Sequence, residues 1–147
     1  MGNPVKNLIN EWFTLISEDA NVKEHCNSFG KEEFNFLNDL FSYQKPIPYV
    51  HIDWDSDSRP DEYGSQRKFI INIVINIVFD ADYVNSQKYH SLYNAVREVI
   101  NANQTMTFDD DSANNFGNWT SNKKDYNENR VRIITFSLPY TYTQRKQ

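Results

Sequence analysis

Five acidic residues crowd one short stretch: Asp53, Asp55, Asp57, Asp61 and Glu62. The first three sit at alternate positions, the spacing with which an EF-hand loop gathers carboxylates on one cation. The rest of the stretch departs from such a loop. Counting from Asp53, Ser58 stands sixth, where the sharp turn takes glycine, and Gly64 stands twelfth, where a bidentate glutamate closes the shell. No helix pair flanks the stretch. It reads instead as a solvated acidic loop that touches partner proteins through Asp53, Asp55, Asp57 and Asp61. Asp109, Asp110 and Asp111 invite the same thought and the same discount. Asp53 and Asp55 with Lys68 hold the parts of a carboxylate nuclease, yet such residues co-occur by chance in any acidic chain.

The remaining reactive side chains are scattered. His25, His51 and His90 fall in three different elements, none with a partner at metal-ligand spacing. His51 and Asp53 share the polar face of one strand, which more often means a polar surface than a catalytic pair. Cys26 has no basic or glycine-rich neighbourhood to lower its pKa. With only four glycines the chain has no phosphate-cradling loop, and no nucleophile elbow is present. We therefore expect no catalytic site, no cofactor and no required metal. Tyr126, Arg130, Arg132, Tyr140 and Tyr142 interleave aromatic and basic groups as a nucleic-acid stacking platform does. The same residues are ordinary on exposed strands and at subunit interfaces.

The elements that position these groups follow from periodicity. Asn3 caps a helix with Pro4 in its first turn, and Val5, Leu8, Ile9, Trp12, Phe13 and Ile16 make its apolar stripe. Ser17 to Phe29 is polar and runs to a turn at Gly30. Glu32 to Tyr43 repeats the helical pattern through Phe34, Leu37, Leu40 and Phe41, and Pro46 and Pro48 end it. Val50, Ile52 and Trp54 alternate with Tyr49, His51 and Asp53, a half-buried strand; Asp55 to Gly64 reads as loop. Arg67 to Phe79 is a strand, with Phe69, Ile71, Ile73, Ile75, Ile77 and Phe79 on one face and Ile70, Asn72, Val74, Asn76 and Val78 on the other. Ser86 caps a helix with the stripe Tyr89, Leu92, Tyr93, Val96, Val99 and Ile100. Thr105 to Phe108 reads as a short strand. Asp109 to Lys124 reads as a long loop or loose hairpin anchored by Phe116 and Trp119. Arg130 to Tyr142 is the last strand, with Ile134, Phe136, Leu138 and Tyr140 on one face; Pro139 within it marks an edge or a bulge.

This order gives an α+β domain: a mainly antiparallel, twisted sheet of long strands packed against two to three helices. Residues 1–147 form one domain, 1–44 its helical part and 45–143 a sheet with a crossing helix. Composition agrees. With 39% hydrophobic residues, among them 10 Phe and 9 Tyr, a chain of 147 residues buries a sizeable core without a disulfide, and its single cysteine fits a reducing cytoplasm. A net charge of −5 argues against coating DNA. The N-terminus lacks the basic start and apolar run of a signal peptide, and no stretch is apolar for long enough to cross a membrane as a helix.

Residues 68–79 as a strand extend about 40 Å at roughly 3.3 Å per residue, as far as the diameter expected for a globule of this length. Strands that outrun their own core serve contact with neighbours. The second face of the strand points the same way, being too apolar for open water and too polar for a dry core. Two readings stand side by side: the N-terminal helices cover that face, or a neighbouring subunit does. On the second, Asn72, Val74, Asn76, Arg132, Tyr140 and Tyr142 form the oligomer interface, and Trp119 joins the aspartates in touching partners.

The succession of a strand with the start PYVHID, the long strand RKFIINIVINIVFDAD, the helix SQKYHSLYNAVREVI and the closing strand NRVRIITFSLPYTY resembles the tail terminator, or tail completion, family of long-tailed phages, lambda-type proteins included. The resemblance covers roughly residues 45–143 and is one of layout, without a shared functional residue. The second N-terminal helix and the stretch 109–124 have no counterpart in it. It implies an α+β subunit of a homo-oligomeric, hexameric ring. That ring would cap the tail tube at the head–tail junction of the virion, touch tube and head-completion proteins, and let DNA through without sequence-specific binding. Another head–tail connector or tail adaptor shares this logic. A small enzyme or binding module with a dispersed site is the alternative of a different class.

Overall fold

The computed structural model describes residues 3–32, 46–58, 61–80, 87–109, 111–115 and 118–145. The expected helix over 32–43 (apart from Glu32), the cap at Ser86 and the anchor Phe116 lie outside them.

The first helix, α1 (Pro4–Glu18), starts as its sequence dictates. The Asn3 side chain accepts from the Lys6 amide at 3.2 Å, and Leu8, Ile9, Trp12 and Ile16 are buried along one stripe. A short α2 (Ala20–His25) follows at once, because Asp19 ends α1 and caps α2, accepting from the amides of Asn21 and Val22 at 3.0 Å each. Gly30 is no turn. It lies in β1 (Ser28–Lys31), which runs parallel to β2 (Tyr49–Asp57). The N-terminal part is thus not wholly helical, and the sheet is mixed rather than purely antiparallel.

The centre of the sheet is the pair β4 (Gln66–Asp80) and β8 (Val131–Arg145), 15 residues each and in unbroken antiparallel register from Gln66 opposite Arg145 to Asp80 opposite Val131. At ~3.3 Å per residue each spans about 50 Å. The stretch expected as an acidic loop is mostly strand. β2 runs on through a bulge at Trp54–Ser56 to Asp57, and β3 (Asp61–Tyr63) hairpins onto β4 through Gly64, whose φ of +58° suits glycine. The stretch 109–124 likewise holds β6 (Asp111–Asn114) and the start of β7 (Thr120–Tyr126), with β5 (Thr105–Phe108) as expected. The order is β1-β2-β4-β8-β6-β5, with β3 on β4 and β7 on β8. Pro139 lies in the central strand, but in the gap between β7, which reaches Ser137, and β6, which starts opposite Thr141, so among the described residues no strand there asks for its missing N–H.

The helices α1, α2 and α3 (Gln87–Ala102) pack on one side of this sheet. Odd-numbered residues of β4 from Phe69 to Phe79 are buried beneath them, with Ile134, Phe136, Leu138, Tyr140 and Tyr142 of β8. Two phenols latch α1 to β8. Tyr140 accepts from Trp12 Nε1 at 3.1 Å and donates to the Asn103 carbonyl at 3.0 Å. Tyr142 accepts from Asn7 at 3.1 Å and donates to Asp111 at 2.9 Å. Burial pushes both phenols' pKa values up.

Candidate protein–protein interface

Strand parity decides which expected site residues can act together. Asn72, Val74 and Asn76 sit on the sheet face away from the helices, half-buried, and the β8 residues opposite them are Pro139, Ser137 and Thr135. Tyr140 and Tyr142 have the other parity and are fully buried in the helix-covered core. They cannot offer side chains to a neighbour, which corrects their assignment to the interface. Arg132 shares their parity, opposite Phe79, and is engaged within its own chain. Its guanidinium donates to both Asp125 oxygens at 2.6 and 3.0 Å and lies 5.9 Å from the Tyr89 ring. The pair holds the Asp125 carboxyl below and the Arg132 guanidinium above its ordinary pKa.

The two asparagines are not orphaned, because the face supplies their partners. Thr135 donates to Asn76 at 2.7 Å and Asn72 donates to Asp55 at 3.3 Å. One end of the face is closed: Tyr49, Val78, Val131 and Ile133 form a second small core. The other end is open, with Ile70 54% exposed. The surface thus grades from a dry corner through a polar middle to an exposed isoleucine.

The chain is similar over almost all its length to a virion chain. That solved structure, a chain in "Virion of native gene transfer agent (GTA) particle", covers 97% of this chain and 100% of its own, with a TM-score of 0.58 and 10% identity. At that identity the likeness is one of fold. No family model matches the sequence, and no curated protein matches it either.

The acidic arm divides. Asp55 and Asp57 on β2 and Asp61 on β3 are exposed, whereas Asp53 is half-buried and accepts from the Trp54 amide at 2.8 Å. Trp119 is committed to its own domain, 5.4 Å from the Phe136 ring and donating to Asn101 at 2.8 Å. The nuclease-like set is not assembled: Lys68 lies opposite Asp61, whereas Asp53 lies opposite Val74, six residues along β4 and so about 20 Å away. His25, His51 and His90 stay on α2, β2 and α3, and among the described residues no group of three His, Cys, Asp or Glu side chains is placed to hold a metal ion. Cys26 is buried, its thiol donating to the carbonyls of Ser28 and Pro48 at 3.2 and 3.3 Å; burial pushes its pKa up to about 11, away from nucleophile chemistry. Sequence reasoning missed β7. Nearly every residue in it is exposed, so it shows no apolar alternation, and only the alternation of turn and polar residues around Asn127 could have marked it.

Proposed function

We propose that this chain is a structural subunit of a phage-like virion, and within that class a tail terminator or completion protein whose copies form a ring on the tail tube at the head–tail junction. The observation that carries the reading is the match of the whole fold, end to end, to a chain of a virion particle. The layout of strands and helix supports the finer role, as do two 15-residue central strands that outrun a domain of this size. A half-polar outer face with satisfied asparagines is the composition of a wet, separable subunit contact rather than of a dry core. The ring's neighbours would be the tube protein below and a head-completion protein above. A net charge of −5 suits a channel that lets DNA pass without gripping it.

Quantitative mass spectrometry of purified particles, with gold labelling of a tagged chain, tests this. We expect several copies per particle, about six, clustered where head meets tail. A single copy per particle defeats the ring. Label elsewhere on the head–tail axis favours a different connector or adaptor, and absence from particles returns the question to a binding module or enzyme.

A further inference from the structure

Two strand edges of this sheet carry opposite charge. At one side, β2 is paired by β1 only as far as Ile52. Beyond it the outer edge from Asp53 to Asp57 has no neighbouring strand among the described residues, and Asp55, Ser56, Asp57 and Ser58 are exposed. Trp54, 41% exposed, stands in this arm. Residues 53–62 carry five carboxylates against one arginine. At the other side, β7 pairs with β8 alone among the described residues, and Thr120 to Asp125 are all exposed. Its charge is basic in effect. Lys123 and Lys124 stand on its two faces, whereas Asp125, its acidic residue, is neutralised within the subunit by Arg132.

We infer that the acidic β2 arm of one copy of this chain adds, antiparallel, to the basic β7 edge of the next, and that this head-to-tail pairing builds the ring; the inference rests on the ring reading above. Exposed strand edges invite pairing with another chain. Direction permits it: β2 to β4, β4 to β8 and β8 to β7 are each antiparallel, so β7 runs opposite to β2. Copies repeated side by side about an axis near the strand direction therefore present antiparallel edges to each other. Charge selects the pairing. Arm on arm sets carboxylate against carboxylate, and β7 on β7 sets lysine against lysine. Only arm on β7 is attractive, so the contact is heterologous and builds a ring rather than a two-fold dimer. Thr120 lies level with Asp53 through Ser137 and Val74. Bringing Asp55 opposite the lysines thus needs a stagger of about five residues, roughly 17 Å, the kind of shear that a closed ring of tilted strands requires.

The test is charge reversal read by native mass spectrometry and sedimentation at low salt, with thermal unfolding of each variant as the folding control. Lys123→Glu with Lys124→Glu, and separately Asp55→Lys with Asp57→Lys, should each weaken self-association about tenfold or more while remaining folded. An equimolar mixture of the two should assemble again, with alternating copies and even-numbered rings only. The fourfold variant should assemble alone. Raising salt should weaken wild-type assembly by screening the same charges, a readout independent of any variant. Wild-type rings that are indifferent to salt and to both reversals, or that are not recovered on mixing, overturn this pairing and leave the ring reading standing. A wild-type chain that stays monomeric alone and on tail tubes overturns both.

Discussion

The two faces of the central sheet are built from the same two strands and obey different rules. On the helix-covered face, every odd-numbered residue of β4 from Phe69 to Phe79 is large, apolar and buried. On the opposite face the same strand carries Ile70, Asn72, Val74, Asn76 and Val78, which pass from exposed through half-buried to buried. The first face answers to one demand, removal of apolar surface from water, and one-residue parity satisfies it everywhere. The second answers to several local demands at once. It must close a small core at Tyr49 and Val131, satisfy two amides in its middle, and leave an isoleucine bare at its far end. The covered face defines the domain's core, and the graded face is what the sheet leaves partly open.

The largest effect should come from violating the first rule. Ile75→Lys places an ammonium under the helices, where Ile75 is fully buried, with no carboxylate opposite it: its cross-strand neighbours are Ile52 and Phe136. An uncompensated buried charge costs about 3–5 kcal/mol or more, a large part of the 5–15 kcal/mol typical of a domain. We expect no cooperative unfolding transition by circular dichroism. A variant that melts within a few degrees of wild type would mean the covered face is wetter than its packing indicates.

Trp12→Ala tests the covering layer rather than the sheet. Trp12 is fully buried and holds α1 to β8 through the Tyr140 hydroxyl. Truncation leaves a large cavity and should lower the unfolding free energy by about 3–5 kcal/mol. Urea titration checks this. A loss below about 1 kcal/mol would show that α1 is dispensable to the fold.

These two residues also mark what could be read from the chain alone. Trp12 and Ile75 belong to stripes with helical and strand periods, and such stripes are set by burial, which alternation records. Their partners are not recorded. Tyr140 meets Trp12 across 128 residues of sequence, and Tyr142 meets Asn7 across 135, so nothing local tells what their hydroxyls bond. Parity already sets Tyr140 with Ile134, Phe136 and Leu138, and only the polar tips suggest an interface instead. The acidic arm and β7 were illegible for another reason. They are strands because β4 and β8 offer backbone partners, and an exposed strand held by its neighbour's backbone needs no apolar alternation. The same holds for β1, whose four residues are strand only because β2 lies beside them.

A smaller effect separates the covered core by pH. Cys26 packs within it, and its thiol pKa is raised from an ordinary 9.0 to about 11 because burial disfavours the thiolate. The folded chain therefore holds this proton more tightly than the unfolded one. Below about pH 9 both states keep the proton and the contribution is fully present. As pH rises from about 9 to 11 the unfolded chain releases it first, and stability falls by roughly 2–3 kcal/mol in all. Tyr140 and Tyr142, also raised by burial, act in the same direction. The Cys26→Ala variant should lose part of this slope, measured as the difference in urea midpoint between pH 8 and pH 11. Equal slopes in variant and wild type would mean the thiolate is accommodated.

The smallest expected change in folding is the one that sharpens the comparison most. Val74 is one residue before Ile75, on the graded face, half-buried between Asp53 of β2 and Ser137 of β8. A lysine there can lay its stem along the sheet and carry its ammonium toward the Asp53 carboxylate, a cross-strand pair of opposite charge. Val74→Lys should therefore keep the monomer within about 1 kcal/mol of wild type. If the graded face meets a neighbouring copy, the same change puts a bulky cation into that contact, and assembly should weaken while the melting curve of the monomer does not move. Two substitutions of one chemistry at adjacent positions then differ only in which face they load. Equal loss of folding in Val74→Lys and Ile75→Lys would mean that both faces are interior and that the sheet has no surface to share. Unchanged assembly with an intact fold would confine subunit contact to the strand edges, where Lys123 and Asp55 stand exposed.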